Sequence, residues 1–277
     1  MSRMYYHRGP IIAEPNVYVI WYGDWNQTNG TDNAAGQQIV RDFLHAIGGS
    51  PYFAINTTYS TKTTTITGNV TFAGEASDAY SRGKSLTPWS LLAVVTNSFT
   101  SNALPKDTNG IYFVLSSSDV YHTRGLCTRF CGFHLHAMIH GDDIRYAFVG
   151  NAARCITHCA PQYKLSPNDN PGVDGMVSII AHELSEAVTD PDSNAWFDIR
   201  GYESADKCGW SYGHHQYQLP NGSWANMGWD FLDSNGAVLY HRDYLIQRNL
   251  VRVVLRTGWE VGYCATTFDP VTRTFQQ

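Results

Sequence analysis

The segment Ala181-His-Glu-Leu-Ser-Glu-Ala-Val-Thr-Asp-Pro191 constrains this chain more than any other, because it reads as a helix with one apolar face and one face of acid and imidazole. Residues four apart on an α-helix lie about 40° from one another around its axis. His182, Glu186 and Asp190 therefore form one row, with Glu183 beside it. Met176, Val177, Ile180, Ala181, Leu184, Ala187 and Val188 occupy the opposite arc at helical spacing, as a helix packed on a core requires. Ile179 falls among the acids, so the acidic stripe is expected to be partly covered too. Carboxylates crowded in a covered place repel one another and lose hydration, and a metal, a buried base or raised pKa values must compensate.

The segment is similar to the His-Glu-x-x-His helix of zinc metallopeptidases, whose first and fifth residues bind metal and whose second is the general base. Here the fifth residue is Glu186, which adds negative charge, weakens the ion as a Lewis acid and widens the choice of metal. Further on, Gly201-Tyr-Glu-Ser-Ala-Asp-Lys-Cys208 places Glu203 and Asp206 at about the distance where one class of those peptidases supplies a third ligand and an outer acid. Such an acid orients a metal-bound histidine. On this reading His182, Glu186 and Glu203 hold Zn²⁺, Asp190 is a reserve ligand, Asp206 is the outer acid and Glu183 is the base. The alternative is a structural acid cluster that caps and salt-bridges neighbouring loops.

The chain has 277 residues, of which 43% are hydrophobic, enough for a sizeable core. With 16% charged residues, a net charge of −5 and no basic run, nucleic acid and anionic membrane are poor partners. The longest apolar runs have strand length, so no membrane span is expected, and the first eight residues lack the apolar stretch of a signal peptide. The aromatic share of 13%, rich in Tyr and Trp, is of the kind found in secreted and sugar-contacting proteins.

Cys127 and Cys131, and again Cys155 and Cys159, are pairs with three residues between them, leaving Cys208 and Cys264. An even count without Cys-x-x-Cys spacing reads as three disulfides in an oxidising compartment. The expected pairing links the two spaced pairs to each other and joins Cys208 to Cys264. Asn26, Asn29, Asn56, Asn69 and Asn221 each head an N-x-[ST] glycosylation triplet, although a Thr- and Asn-rich chain also produces these by chance. Together these features favour a secreted, extracellular glycoprotein.

Along the chain, residues 16–22 read as a buried strand, 24–36 as a polar loop and 37–47 as an amphipathic helix stopped by Gly48-Gly49. Strands are expected at 52–60, 63–72 and 110–115, and a helix opens at Thr87-Pro88-Trp89. Residues 132–139 and 144–149 form a hairpin through His140-Gly-Asp-Asp143. The acid-bearing helix begins near Asp174, an aromatic loop-rich region covers 192–243, and strands close the chain at 244–247 and 250–255. These elements make one α+β domain over 1–277, with 1–15 as an N-terminal arm. It has a mixed, α/β-like sheet, two supporting helices and the motif helix, in the order expected of a zincin-like domain.

Val17-Tyr-Val-Ile-Trp-Tyr-Gly-Asp24, Gly74-Glu-Ala-Ser-Asp78, Asn109-Gly-Ile-Tyr-Phe-Val-Leu115, Cys131-Gly-Phe-His134 and Asp174-Gly-Met-Val-Ser-Ile-Ile-Ala-His-Glu-Leu-Ser-Glu186 together resemble the EXORDIUM family, also called phosphate-induced proteins. The likeness runs in order from about Tyr6 to Cys264. It implies a secreted protein, with plant members tied to cell-wall growth responses. Plant versions read roughly His-Glu-Leu-x-Glu followed by Asn-Pro, whereas this chain has Asp190-Pro191, closer to the microbial type.

His134 and His136 alternate on a strand and so share one face. His134, the one matching the family pattern, is a candidate to approach the acids and polarise a substrate carbonyl or hold an acid, against the alternative of a hydrogen-bonded core residue. His214-His215 reads as solvated. Ser116-Ser-Ser118 lacks the Gly-x-Ser-x-Gly elbow of a nucleophilic serine. Trp210, Tyr212, Tyr217, Trp224 and Trp229 either line a groove or pack loops. Two functions remain open. One is a metal-dependent, peptidase-like hydrolase. The other is a non-catalytic glycoprotein of a cell wall, matrix or self-assembled surface that uses the same helix as a structural metal site.

Overall fold

The computed structural model describes residues 3–277. At its centre lies β1, Asn16–Tyr22, whose unbroken apolar run is buried on both faces as the inner strand of a parallel sheet must be. It pairs in parallel with β2, Thr71–Asp78, on one side and with β3, Gly110–Ser116, on the other. Beyond β3 come β5, Asp142–Gly150, parallel to it, and β4, Gly132–Ile139, antiparallel at the edge. The order across this mixed sheet is therefore β2-β1-β3-β5-β4.

The two faces carry separate cores. Val17, Val19, Trp21, Phe113 and Leu115 face helices α1, Ala34–Ala46, and α3, Pro171–Thr189. Tyr18, Ile20, Tyr22, Tyr112 and Val114 face α2, Pro88–Thr100. Local chemistry starts each helix. Asn33 accepts from the Gly36 amide at α1, Thr87 and Ser90 form a reciprocal capping box at α2, and Asn170 caps α3 just before Pro171. Met176, Val177, Ile180, Leu184 and Val188 are fully buried in the first core, as their spacing predicts.

Several expectations are corrected. Residues 52–60 contain no strand. Phe53–Tyr59 is a 3₁₀ helix in which the Thr57 and Thr58 hydroxyls donate to the Ala54 and Ile55 carbonyls at 2.6 and 2.8 Å. Such local bonding competes with a sheet ladder despite the β-branched composition. The strand expected at 63–72 begins only at Thr71 and continues to Asp78, because an edge strand tolerates the polar Gly74-Glu-Ala-Ser sequence. At the other end, β6, Met227–Leu232, pairs with β7, Val238–Tyr244, within what reads as loop. The 244–247 strand is replaced by an extended passage that turns Gln247 toward α3, where its amide donates to the Ser178 hydroxyl at 3.1 Å. β8, Asn249–Val254, and β9, Glu260–Ala265, close as a hairpin.

Three disulfides join Cys127 to Cys155, Cys131 to Cys159 and Cys208 to Cys264. The first two tie the approach to β4 to the exit from β5; the third ties the loop after α3 to β9. Asn26 and Asn69 are exposed. Asn56 is excluded as a glycan acceptor in the folded chain: it has no exposed surface, and its carboxamide oxygen accepts from Asn249 at 2.9 Å.

The Cys208–Cys264 bridge spans 56 residues, and closing a loop of that size is worth about 4 kcal/mol. Replacing both cysteines with serine is expected to lower unfolding free energy by about 2–5 kcal/mol in urea titrations. An unchanged midpoint would show that the loop after α3 is held without it.

Candidate metal centre

Gly132 brings the edge strand against the motif helix. A Cβ there would lie 2.6 Å from Ile179 Cγ2, 3.0 Å from the Phe148 carbonyl oxygen and 3.1 Å from Glu183 Oε1. Two residues on, His134 sits on the same face of β4 and points into a cleft of about 400 Å³ beside α3. His182, Glu183 and Glu186 line that cleft from the helix, and Glu203 and Asp206 from the disulfide-tied loop. The loop is also held by hydrogen bonds: the Asp206 amide donates to Glu186 Oε1 at 2.9 Å, and the Glu203 amide to Asp206 Oδ2 at 3.2 Å.

The donors fall into two overlapping groups. His134 Nε2 lies 3.1 Å from Glu203 Oε2 and 4.0 Å from Glu186 Oε2. His182 Nε2 lies 3.2 Å from Glu186 Oε1 and 3.6 Å from Asp206 Oδ1. Glu203 thus stands with His134, and Asp206, expected behind the ligands, faces His182 directly. Asp190 does not line the cleft. Its Oδ1 accepts from the Asn194 and Ala195 amides at 2.6 and 2.5 Å, fastening the turn that leaves α3.

Charge and burial pull these groups in opposite directions. Burial alone would lower the His134 pKa, but the Glu203, Glu186 and Glu183 carboxylates hold it up, to about 9. His182 is likewise driven well above its ordinary value against burial, by Glu186 and Asp206. Burial raises Glu183, the histidines oppose it, and neighbouring acids push it further up. Glu203 moves upward for the same reasons, burial first and then Glu186. Burial also raises Asp206, but His182, the Glu203 amide and His134 together outweigh it and keep that carboxyl low. Glu183 makes no side-chain hydrogen bond to a described residue, although it is buried and reaches the cleft.

The donor set fits a divalent cation. Zinc bonds of ~2.0–2.2 Å hold neighbouring donors roughly 3–3.6 Å apart, and the closest imidazole–carboxylate separations here are 3.1 and 3.2 Å. His136 shares the strand face but not the cleft: its Nδ1 lies 2.9 Å from Asp143, in a network closed by Arg145 and Asp192. His214 and His215 are exposed. Of the aromatic residues singled out, Trp210 lines the cleft, while Trp229 packs on Phe43 and Tyr244.

Sequence reasoning missed Gln247, whose Oε1 accepts from the Trp210 amide at 3.0 Å and lies 3.3 Å from His182 Nδ1. A glutamine expected inside a closing strand carries no local signal of that role. Arg129, also lining the cleft, has none either.

Residues 4–250 match the family described as the phosphate-induced protein 1 conserved region. EXORDIUM-like 3 of Arabidopsis thaliana is 34% identical over 89% of this chain and 80% of its own length. EXORDIUM-like 5 of the same plant is 34% identical over 69% of this chain and 59% of its length. PHOSPHATE-INDUCED 1 of Nicotiana tabacum is 26% identical over 76% of this chain and 74% of its length. No solved structure matches the chain.

Gly132→Ala tests the close approach of β4 to α3. Crowding Ile179 and the Phe148 carbonyl is expected to cost about 1–3 kcal/mol of stability and to weaken Zn²⁺ uptake. Both are readable by denaturation with and without added Zn²⁺. Unaltered stability and uptake would mean that Gly132 does not set the geometry of the cleft.

Proposed function

This chain belongs to the phosphate-induced protein 1, or EXORDIUM, family, and from that premise we propose that it is a secreted glycoprotein whose α3 cleft is the centre of a metal-dependent, peptidase-like hydrolase. The observation that carries this reading is Glu183, a buried carboxyl with no hydrogen-bond partner among the described residues, open to a cleft that also holds two histidines and three further acids. A structural acid accepts hydrogen bonds, as Asp190 Oδ1 does from two backbone amides.

Glu186 and the histidine–acid pairs beside it would hold the ion, with Zn²⁺ suited to the imidazole and carboxylate donors. When bound, it supplies Lewis acidity toward a carbonyl and makes water more acidic. With a cation bound beside it, Glu183 would be ionised despite the burial that raises its pKa, and it would then accept a proton from water in the cleft and return it to the leaving group. The Gln247 side chain ties His182 to the Trp210 backbone and so fixes the imidazole. Trp210, half exposed at the cleft, offers an apolar surface to a peptide. An antiparallel edge strand beside the motif helix supports a zincin-like reading of the domain.

Three disulfides with no free cysteine, together with the exposed sequons at Asn26 and Asn69, support an oxidising, extracellular setting. Among the described residues no helix is long and apolar enough to cross a membrane. One observation favours the non-catalytic alternative, a wall or surface assembly: Leu232, Val238 and Leu239 leave the end of the β6–β7 hairpin apolar and more than half exposed.

Glu183→Gln is expected to keep fold and bound metal but lose hydrolysis of a mixed peptide library by about 10²–10⁴-fold, because an amide keeps the shape yet accepts no proton. Glu186→Ala is expected to lose the metal itself, measured by elemental analysis. Equal metal loss in both variants would overturn the assignment of base and ligand. A metal-loaded wild type without hydrolytic activity across the library would leave the assembly reading.

A further inference from the structure

Glu186 turns a different oxygen toward each histidine, Oε1 toward His182 at 3.2 Å and Oε2 toward His134 at 4.0 Å. Behind each imidazole stands a second carboxylate, Asp206 for His182 and Glu203 for His134. Within each trio the donor atoms lie within 4.8 Å of one another, but the five residues do not form one such group. An ion with ligand bonds of ~2.0–2.2 Å cannot join donors more than about 4.4 Å apart. A single ion would therefore serve at most one trio and leave the other histidine–acid pair outside its shell.

Charge leads to the same division. When all four are ionised, Glu183, Glu186, Glu203 and Asp206 bring four negative charges to a cleft whose lining also includes Arg129, so a single divalent ion leaves negative charge over and a second offsets it. No Lys or Arg forms an ion pair with any of the four among the described residues. The other clusters of metal-ligating residues differ on this point. His136, Asp143 and Asp192 already receive the Arg145 guanidinium, at 2.8 Å from Asp192. Cys127, Cys155 and Cys159 are consumed by disulfides.

Resting on the metal-centre reading above, we infer that the cleft binds a pair of divalent cations, with the Glu186 carboxylate as the bridge between them. Each half then has one imidazole, one terminal carboxylate and one oxygen of Glu186, a nitrogen–oxygen set that suits Zn²⁺ or Mn²⁺. Paired ions roughly 3.5–4 Å apart stabilise both the attacking and the leaving atoms of a hydrolysed ester or amide.

The test is a metal count. Full-length protein stripped with a chelator is dialysed to equilibrium against Zn²⁺ and assayed for bound metal. The wild type is expected to hold about two ions per chain, and His134→Ala and His182→Ala about one each. In parallel, Mn²⁺-loaded wild type is expected to show the exchange-coupled paramagnetic resonance spectrum of a carboxylate-bridged pair, replaced by isolated-ion signals in either variant. One ion per wild-type chain, without coupling, overturns the paired site and leaves the single-ion reading standing. No bound ion overturns both. If a variant fails to fold by circular dichroism, the wild-type count and resonance spectrum decide the question alone.

Discussion

The burial of Glu186 between two histidines is the interaction on which the rest of this site depends. A carboxylate with almost no exposed surface is costly unless its oxygens are engaged. Glu186 meets that requirement with His182 from its own helix, His134 from the sheet edge and the Asp206 amide from a distant loop. Removing one partner leaves the others facing an uncompensated charge, which typically costs about 3–5 kcal/mol in a buried pair. The same carboxylate thus couples three elements that have no sequence proximity.

Each of those elements is placed by ordinary packing. α3 is positioned by its apolar arc, since Val177, Ile180, Leu184 and Val188 fill the core below β1 and β3. The edge strand β4 is fixed in register by its hairpin with β5, which sets His134 opposite Ala147. That small neighbour leaves room on the α3 face. The two disulfides flanking this hairpin hold both of its open ends, while the third holds the loop of Glu203 and Asp206. Rigid supports on every side keep like-charged acids together where a looser scaffold would let them swing into water.

Much of this was legible in the residues, and the failures have a common cause. The stripe of His182, Glu183 and Glu186 opposite an apolar arc follows from helical periodicity alone, and the inner strands follow from continuous apolar runs. The 3₁₀ turn at Phe53–Tyr59 was not legible, because hydroxyl-to-carbonyl bonding overrode a β-like composition. Asn56 heads a sequon, yet tertiary packing buries it against Asn249. Sequence spacing brought Glu203 and Asp206 to the site but could not say which histidine each would face. That choice depends on how the loop lies over β4, a relation among residues 69 apart in the case of His134 and Glu203.

The cluster is harder to explain as a self-contained network of ion pairs than as a receptor for cations. In the nearby network Arg145 spans Asp143 and Asp192, so a permanent cation does the neutralising and the acids need nothing further. Among the described residues, the groups that form ion pairs with the cleft acids are imidazoles, which carry charge because the acids compel it. Two protonated histidines against four carboxylates leave negative charge over, and Glu183 meets that excess by retaining its proton rather than by finding a donor. A core that needed only stability would more readily replace such a set with apolar side chains. Glu183 instead faces an accessible cavity, so the excess charge is presented to whatever cation and substrate can enter.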